Sequence, residues 1–184
     1  MPSFHVQPAT PGDFPDILAL QGANYIENLA PHERGDGFVS TPFSLELLVA
    51  LEKPDGFFVA RSETGALAGY AFAGSWAFCA RWPAFRVALA RFPLRWQGGM
   101  IAPNETFQYG PVCIAREFRG QGVLPLLFEA VKAEMRPRFP VGTTWINKAN
   151  GRSLRAHVEK LGLVPLDEFA FDGKEFVLLG FNTG

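Results

Sequence analysis

Cysteine is nearly absent from this chain: Cys79 and Cys113 are the only two in 184 residues. Two thiols cannot make a disulfide framework, and their positions fit no metal-ligand spacing, so no metal site is expected. Long hydrophobic runs are missing as well, since no uninterrupted apolar stretch approaches the ~18 residues of a membrane span. Neither charge sign dominates. Seventeen basic and 18 acidic residues are well mixed, for a net charge of −1, and no Lys/Arg run or stripe suggests nucleic acid as a partner. The opening residues, Met-Pro-Ser-Phe-His-Val, lack a basic segment followed by an apolar core. No signal peptide is therefore expected, and the cytoplasm is the expected compartment. The chain has no Gly-Lys-Ser or Gly-Lys-Thr, which excludes a nucleotide-triphosphate P-loop.

What is present is apolar and patterned. With 48% hydrophobic and 19% charged residues, residues 1–184 read as a single domain with a substantial core. Ser3 to Pro8 alternates as a short strand, and Thr10-Pro11-Gly12-Asp13 opens a helix with Thr10 as its N-cap. A loop-like segment from Asn28 to Thr41 precedes a second helix, from Thr41-Pro42 to Leu51, stopped before Lys53-Pro54. Gly56 to Arg61 and Ala66 to Ala73 form a hairpin signal around Ser62-Glu63-Thr64-Gly65. An aromatic-rich insert follows at about 75–104, with Phe85, Ala88, Leu89 and Phe92 on one helical face. That stripe reads as core before it reads as a substrate lid.

Phe107 to Ala115 is strand-like, although Gly110-Pro111 interrupts it, and proline cannot donate to a ladder, so a bulge is expected there. Next comes Phe118-Arg119-Gly120-Gln121-Gly122-Val123, then a helix whose Leu124, Leu127, Phe128, Val131 and Met135 face a core. Two glycines two apart allow a tight turn and leave N–H groups uncovered. They precede a helix start, where the first amides lack intrahelical partners and the dipole favours an anion. A dinucleotide fingerprint does not fit, because Pro125 stands at its third glycine and Gly142 at its acid. Thr143 to Asn147 reads as a strand, Asn150 caps a further helix closed by Gly162, and Asp172-Gly173 joins two final β runs.

The order β-α-α-β-β-(insert)-β-α-β-α-β-β, over Phe4 to Phe181, resembles the GCN5-related N-acetyltransferase (GNAT) superfamily. The segment Val112 to Val123 is similar to that family's acyl-CoA motif, with Arg119 and Gly122 at its first and fourth positions and Leu124 where Gly or Ala is usual. Asn150 to Leu163 is similar to its Asn-x-x-Ser/Ala helix ending in Lys-Leu-Gly-Phe. The fold this implies is α/β. Its central sheet is mixed, mostly antiparallel, of about six to seven strands flanked by helices, with a β-bulge splay at the fourth strand. The co-substrate implied is acetyl-CoA. Its pyrophosphate would take N–H bonds from Gly120, Gln121, Gly122, Val123 and Leu124, beside Arg119. Val112, Cys113 and Ile114 would lend backbone groups to the pantetheine arm, and Asn150 joins the same cofactor set.

The reaction implied is direct attack of a primary amine on the thioester in a ternary complex, the amine being a small molecule. A protein or peptide amine is the alternative acceptor, and a silent acyl-CoA-binding sensor the alternative function. Many relatives place an acidic tyrosine seven residues after the Asn; here that position is His157, with Val158 next to it as the other candidate to face the thiol. For the base, Glu105 and Tyr109 are candidates beside ordered water, and Glu105 reads first as a solvated loop acid. Cys113 lies on an apolar strand without a paired histidine and is expected to be inert. The acceptor site is expected from the first two helices, the hairpin's edge and the insert; Asn24, Tyr25, Glu27, Asn28, Glu33, Arg34 and Asp36 lie in that region, though each by itself reads first as a solvated loop residue. A monomer or a homodimer is expected.

Overall fold

Thr10 and Asp13 start the first helix as the residues suggest. In the computed structural model, which describes residues 3–51 and 55–184, the Thr10 amide and hydroxyl both donate to Asp13 Oδ2, at 2.8 and 2.9 Å. β1 (Phe4–Pro8) precedes this cap, and α1 (Phe14–Asn24) follows a short 3-10 turn. The helix expected from Thr41 to Leu51 shortens to α2 (Leu45–Val49) because Ser44 caps it, accepting from the Leu47 amide. The stop expected at Lys53-Pro54 lies outside the described residues. Two 3-10 turns, Ile26–Asn28 and Pro31–Asp36, occupy part of the segment expected as loop. β2 (Gly56–Ser62) and β3 (Leu67–Gly74) form the hairpin, with Gly65 at φ +82° in its turn.

The insert holds α3 (Trp76–Cys79), α4 (Pro83–Leu89), β4 (Leu94–Trp96) and β5 (Gly99–Ile101). β6 (Thr106–Ile114), α5 (Val123–Met135) and β7 (Val141–Asn147) come next. α6 (Gly151–Arg155) continues into a π-helical turn at Ala156–Lys160, before β8 (Val164–Phe171) and β9 (Lys174–Asn182). Hydrogen bonding orders seven strands as β1-β2-β3-β6-β7-β9-β8, with β4 and β5 paired apart. The β1/β2, β2/β3, β7/β9 and β8/β9 ladders are antiparallel and β6/β7 is parallel, which is the mixed, mostly antiparallel pattern expected.

Contacts group the chain into two compact units, residues 1–73 with 110–131 and residues 74–109 with 132–184. In the first, Ile17 is buried and Gln21 ties α1 to the approach of α2. Its Nε2 donates to the Phe43 carbonyl at 2.9 Å, and its Oε1 accepts from the Phe43 amide at 2.8 Å. Arg61 on β2 reaches back to Asp13 and Asp16. Val123, Leu127, Phe128 and Val131 give α5 its buried stripe, so Val123 rather than Leu124 is the first core position.

In the second unit the insert is core. Trp76 Nε1 donates to Thr106 Oγ1 at 2.9 Å, Phe85 meets Trp145 edge to face at 5.0 Å, and Leu94 and Ile101 bury with Val141 and Leu178. Such aromatic contacts contribute ~0.5–1.5 kcal/mol beyond area burial. The β4–β5 hairpin, absent from the sequence reading, turns on Gln97 and Gly98, both at positive φ.

Candidate active site

The glycine turn owes its exposure to side chains that fold away from it. After β6, the Ala115 amide donates to Ala68 O at 2.9 Å and the Phe118 amide to Ala115 O at 2.9 Å, closing a 3-10 turn at Arg116–Phe118. Phe118 packs edge to face on Phe4, 5.8 Å between centroids. Gln121 Nε2 donates to Glu117 O at 2.7 Å. Arg119 turns its guanidinium inward, donating to Ile114 O (3.0 Å), Asp36 O (3.0 Å) and Asn24 Oδ1 (2.7 Å). It therefore holds the turn against α1 and the Pro31–Asp36 segment, and any phosphate contact at this position would come from main chain.

Gly120 and Gly122 take φ of +79° and +87°, and a Cβ built on either meets nothing within 4 Å. Among the described residues, no carbonyl accepts at hydrogen-bond distance from the amides of Gly120, Gln121, Gly122, Val123 or Leu124. Pro125 ends the row, having no N–H. The result is a short ribbon of donors, open to one side, where the helix dipole adds positive potential.

β6 runs unbroken through Gly110, at φ +94°, and Pro111, and its ladder with β7 covers Thr106 to Gln108. Cys113 is buried and its Sγ faces Leu20 O of α1 at 4.0 Å. Burial pushes its thiol up to about 12, against the pull of Arg119, so it stays protonated and unreactive. The Ile114 carbonyl is taken by Arg119. Beside this strand end lies a cavity of about 540 Å³ that brings together Asn24, Glu33, Asp36 and Arg119. Its charges are matched internally. Asp16 pairs with Arg61, Asp36 with Arg116, and Glu33 Oε2 accepts from the Ala30 amide. Arg34 is turned to Leu29 O at 3.3 Å instead.

The three proton-transfer candidates all lie in the second unit. Glu105 is exposed and caps its own 3-10 turn, accepting from the Ala102 amide at 2.8 Å. Tyr109 is fully buried, and burial drives its hydroxyl far above the ordinary phenol range, which leaves it unable to take up a proton as phenolate. His157 is buried against the Tyr109 ring, 5.9 Å between centroids. Its Nδ1 lies 2.8 Å from Ser153 O. A carbonyl only accepts, so Nδ1 carries the hydrogen and Nε2 the lone pair. Burial lowers its pKa, the Ser153 carbonyl only partly opposing this. The ring is neutral near pH 7 and lacks the proton an acid at Nε2 would need. Asn150 Oδ1 accepts from the Ser153 amide at 3.4 Å as the N-cap of α6. The extra residue between His157 and Gly162 is absorbed by the π-turn.

Because His157 protonates more readily in the unfolded chain than in the fold, stability should fall as pH drops below its ordinary value of 6.5 and be fully present above it. Each pH unit inside that window costs about 1.4 kcal/mol. Asp167, held low by its bond to Arg91, and Asp13, held low by Thr10 and Arg61 against burial, lose their contributions only below 3.8. Melting curves should thus show an acid limb starting near 6.5 that His157→Gln removes. An identical limb in that variant would assign it elsewhere.

Two features of this region were not legible beforehand: the inward turn of Arg119, and Gln108 and Trp145, which carry buried polar atoms without hydrogen-bond partners among the described residues. No spacing signal marks either.

The sequence matches no family model and no curated protein. Solved structures do match over nearly the whole chain. A nourseothricin acetyltransferase is 20% identical, with 98% of this chain and 99% of that one covered and a TM-score of 0.60. An acetyltransferase of the GNAT family from Streptococcus pneumoniae is 14% identical, with 99% and 100% covered and a TM-score of 0.63. A candidate acetyltransferase from Salmonella typhimurium, solved with its cofactor acetyl-CoA, is 15% identical, with 98% and 94% covered and a TM-score of 0.64. At these identities the likeness is one of fold: the chain has the GNAT fold.

Proposed function

We propose that this chain is an acyl-CoA-dependent N-acyltransferase, moving an acetyl group from acetyl-CoA to a primary amine of a small molecule within a ternary complex. One observation carries the reading: the ribbon of bare amides from Gly120 to Leu124 at the start of α5, opened by two left-handed glycines. Those amides would hold the diphosphate of the co-substrate. Hydrogen bonds to a charged group contribute ~1.5–3 kcal/mol each, so a few support micromolar affinity. The backbone of Val112 and Cys113 would run along the pantetheine arm; Asn150 caps α6. The acetyltransferase names of structures with the same fold, one of them carrying acetyl-CoA, support the same chemistry.

In the step itself the amine nitrogen attacks the thioester carbonyl carbon. A C–N bond forms, the C–S bond breaks, and sulfur leaves with the electron pair. A thiol with a pKa of about 8.5 is a tolerable leaving group without an acid. Protonated Tyr109 and the capping carboxylate of Glu105 are set aside, and water is taken as the carrier of the amine proton. His157 acts here as a positioning residue, through its contact with the Tyr109 ring.

Incubation with acetyl-CoA and a panel of small-molecule and peptide amines, followed by free thiol, tests the reading. Thiol release dependent on a small amine is the expected result. Coenzyme A that fails to raise the melting temperature would overturn it. Binding without turnover across the panel would make the chain an acyl-CoA sensor.

A further inference from the structure

Arg119 is held at all three guanidinium nitrogens, each by a different element of the first unit. Nε donates to Ile114 O at the end of β6 at 3.0 Å, Nη1 to Asp36 O at 3.0 Å, and Nη2 to Asn24 Oδ1 at 2.7 Å. A guanidinium is a rigid planar fork, so three partners leave it no freedom to turn. Two of these acceptors are main-chain carbonyls, which no substitution deletes. Asn24 Oδ1 belongs to a side chain, and that side chain is set from its other end: Nδ2 donates to Leu20 O at 2.9 Å, one turn back in α1. This bond also fixes the sense of the amide. Exchanging its atoms would turn an amino group toward the guanidinium and an oxygen toward a carbonyl.

The frame behind Asn24 is closed by main chain. The Val39 amide donates to Asn24 O at 2.8 Å and the Ile26 amide to Val39 O at 3.0 Å, with Val39 buried. Asp36 stands on the same support, and Arg116 reaches its carboxylate at 3.3 Å. In front of the fork the next residue is Gly120. Gly120 and Gly122, at φ +79° and +87°, have the widest backbone freedom of any residue type, and the ribbon of amides runs through them. Such a turn keeps one shape only if its ends are fixed. Val123, 1% exposed, fixes the far end in the core, and Arg119 fixes the near end. Every residue in this chain of contacts belongs to the first compact unit.

We infer that Asn24 is a positioning residue for the diphosphate: through Arg119 it holds the amides of Gly120 to Leu124 in the arrangement that receives the anion, without touching the anion itself. The inference rests on the transferase reading above. A glycine turn that must be ordered when the ligand arrives weakens binding by the entropy of that ordering, and a turn ordered beforehand does not. The bond from the guanidinium to Asn24 is charge-assisted and short, so it is the strongest of the three that a mutation can remove. Its loss leaves Nη2 bare and the fork free to tilt, and Gly120 follows.

Calorimetry with coenzyme A on the wild type, Asn24→Leu, Asn24→Asp, Arg119→Lys and the double variant Asn24→Leu/Arg119→Lys tests this. Asn24→Leu removes the acceptor at similar volume and should raise the Kd about tenfold with the stoichiometry unchanged. Asn24→Asp keeps an accepting oxygen and should stay within about threefold of the wild type. Arg119→Lys keeps the charge without the fork and should lose about as much as Asn24→Leu, whereas a role for charge alone would leave its affinity intact. The double variant should lose no more than Arg119→Lys does. In turnover, Asn24→Leu should raise the KM for acetyl-CoA and leave kcat within about twofold, because the pantetheine arm separates the diphosphate from the breaking C–S bond. A merely structural Asn24 would lower stoichiometry and kcat through an inactive fraction and leave the Kd alone. A Kd in Asn24→Leu within about twofold of the wild type, affinity kept in Arg119→Lys, or losses that multiply in the double variant would overturn the inference alone. Should Asn24→Leu fail to fold, the loss or persistence of affinity in Arg119→Lys decides. A wild type that does not bind coenzyme A would sink the transferase reading, and this inference with it.

Discussion

Gly122→Glu should lose coenzyme A binding by more than ~100-fold while the protein still folds. The substitution is not a clash within the molecule, since a Cβ at this position meets nothing within 4 Å. Its cost to folding is the left-handed backbone, φ +87°, which penalises an L side chain by roughly 1–2 kcal/mol. Its cost to binding is larger. A carboxylate would stand in the open space that the amides of Gly120 to Leu124 face, and would repel the diphosphate. Loss of two charge-assisted hydrogen bonds, at ~1.5–3 kcal/mol each, is already a factor of about 100 or more. Gly122→Gln separates the two causes, since it fills the space without the charge and should give an intermediate loss. Gly173→Glu is the control. Gly173 has φ +67° and open surroundings in the β8–β9 turn, so it should share the loss of stability and keep the affinity. Calorimetry on the three variants decides the matter. Unchanged affinity in Gly122→Glu would refute the phosphate cradle.

Much of the scaffold under that cradle was legible because it rests on local chemistry. Thr10 with Asp13, Asn150 as a cap, Gly65 and the Asp172-Gly173 pair each announce a turn or a helix start that the backbone then adopts. The buried stripe of α5 was equally plain, since 3.6-residue periodicity survives in a helix of that length. What failed to show was short or long-range. Three-residue strands such as β4 and β5 carry too little alternation to be seen, and their turn uses Gln97-Gly98 rather than an Asn-Gly pair. The π-turn after α6 appeared only as one residue too many between His157 and Gly162. The site was legible as backbone and not as side chains. Glycines announce exposed amides, but the direction of Arg119, the neutral state of His157 and the bare oxygen of Gln108 depend on partners up to 95 residues away or on burial. No spacing rule reaches that far.

Gly142 offers the sharpest test of the packing behind these buried groups. It sits on β7 opposite Phe181 of β9 and opposite Phe107 of β6, a glycine between two phenylalanines in register. A Cβ there would run into Phe181 Cζ and lie 2.5 Å from its Cε2, so the ring must move for any other residue to fit. It has little room to do so. Phe107 and Tyr109, both fully buried, hold it edge to face at 5.8 and 5.7 Å. An aromatic ring laid over a strand glycine is a familiar compensation for the missing side chain. Gly142→Ala gains ~0.5–1 kcal/mol of strand preference, against which overpacking costs ~1–3 kcal/mol. At the lower end the two cancel. The held ring argues for the upper end, a fall of several degrees in melting temperature for a chain of this size, and Gly142→Val should fall further. Phe181→Leu should relieve the pair, making Gly142→Ala/Phe181→Leu more stable than the two single losses add up to. The displaced ring would also press on Tyr109 and, through it, on His157, so the acid limb of the melting profile should shift in Gly142→Ala. Wild-type stability in Gly142→Ala, with additive behaviour in the double variant, would show that Phe181 swings freely and that this face of the second unit is looser than its contacts indicate.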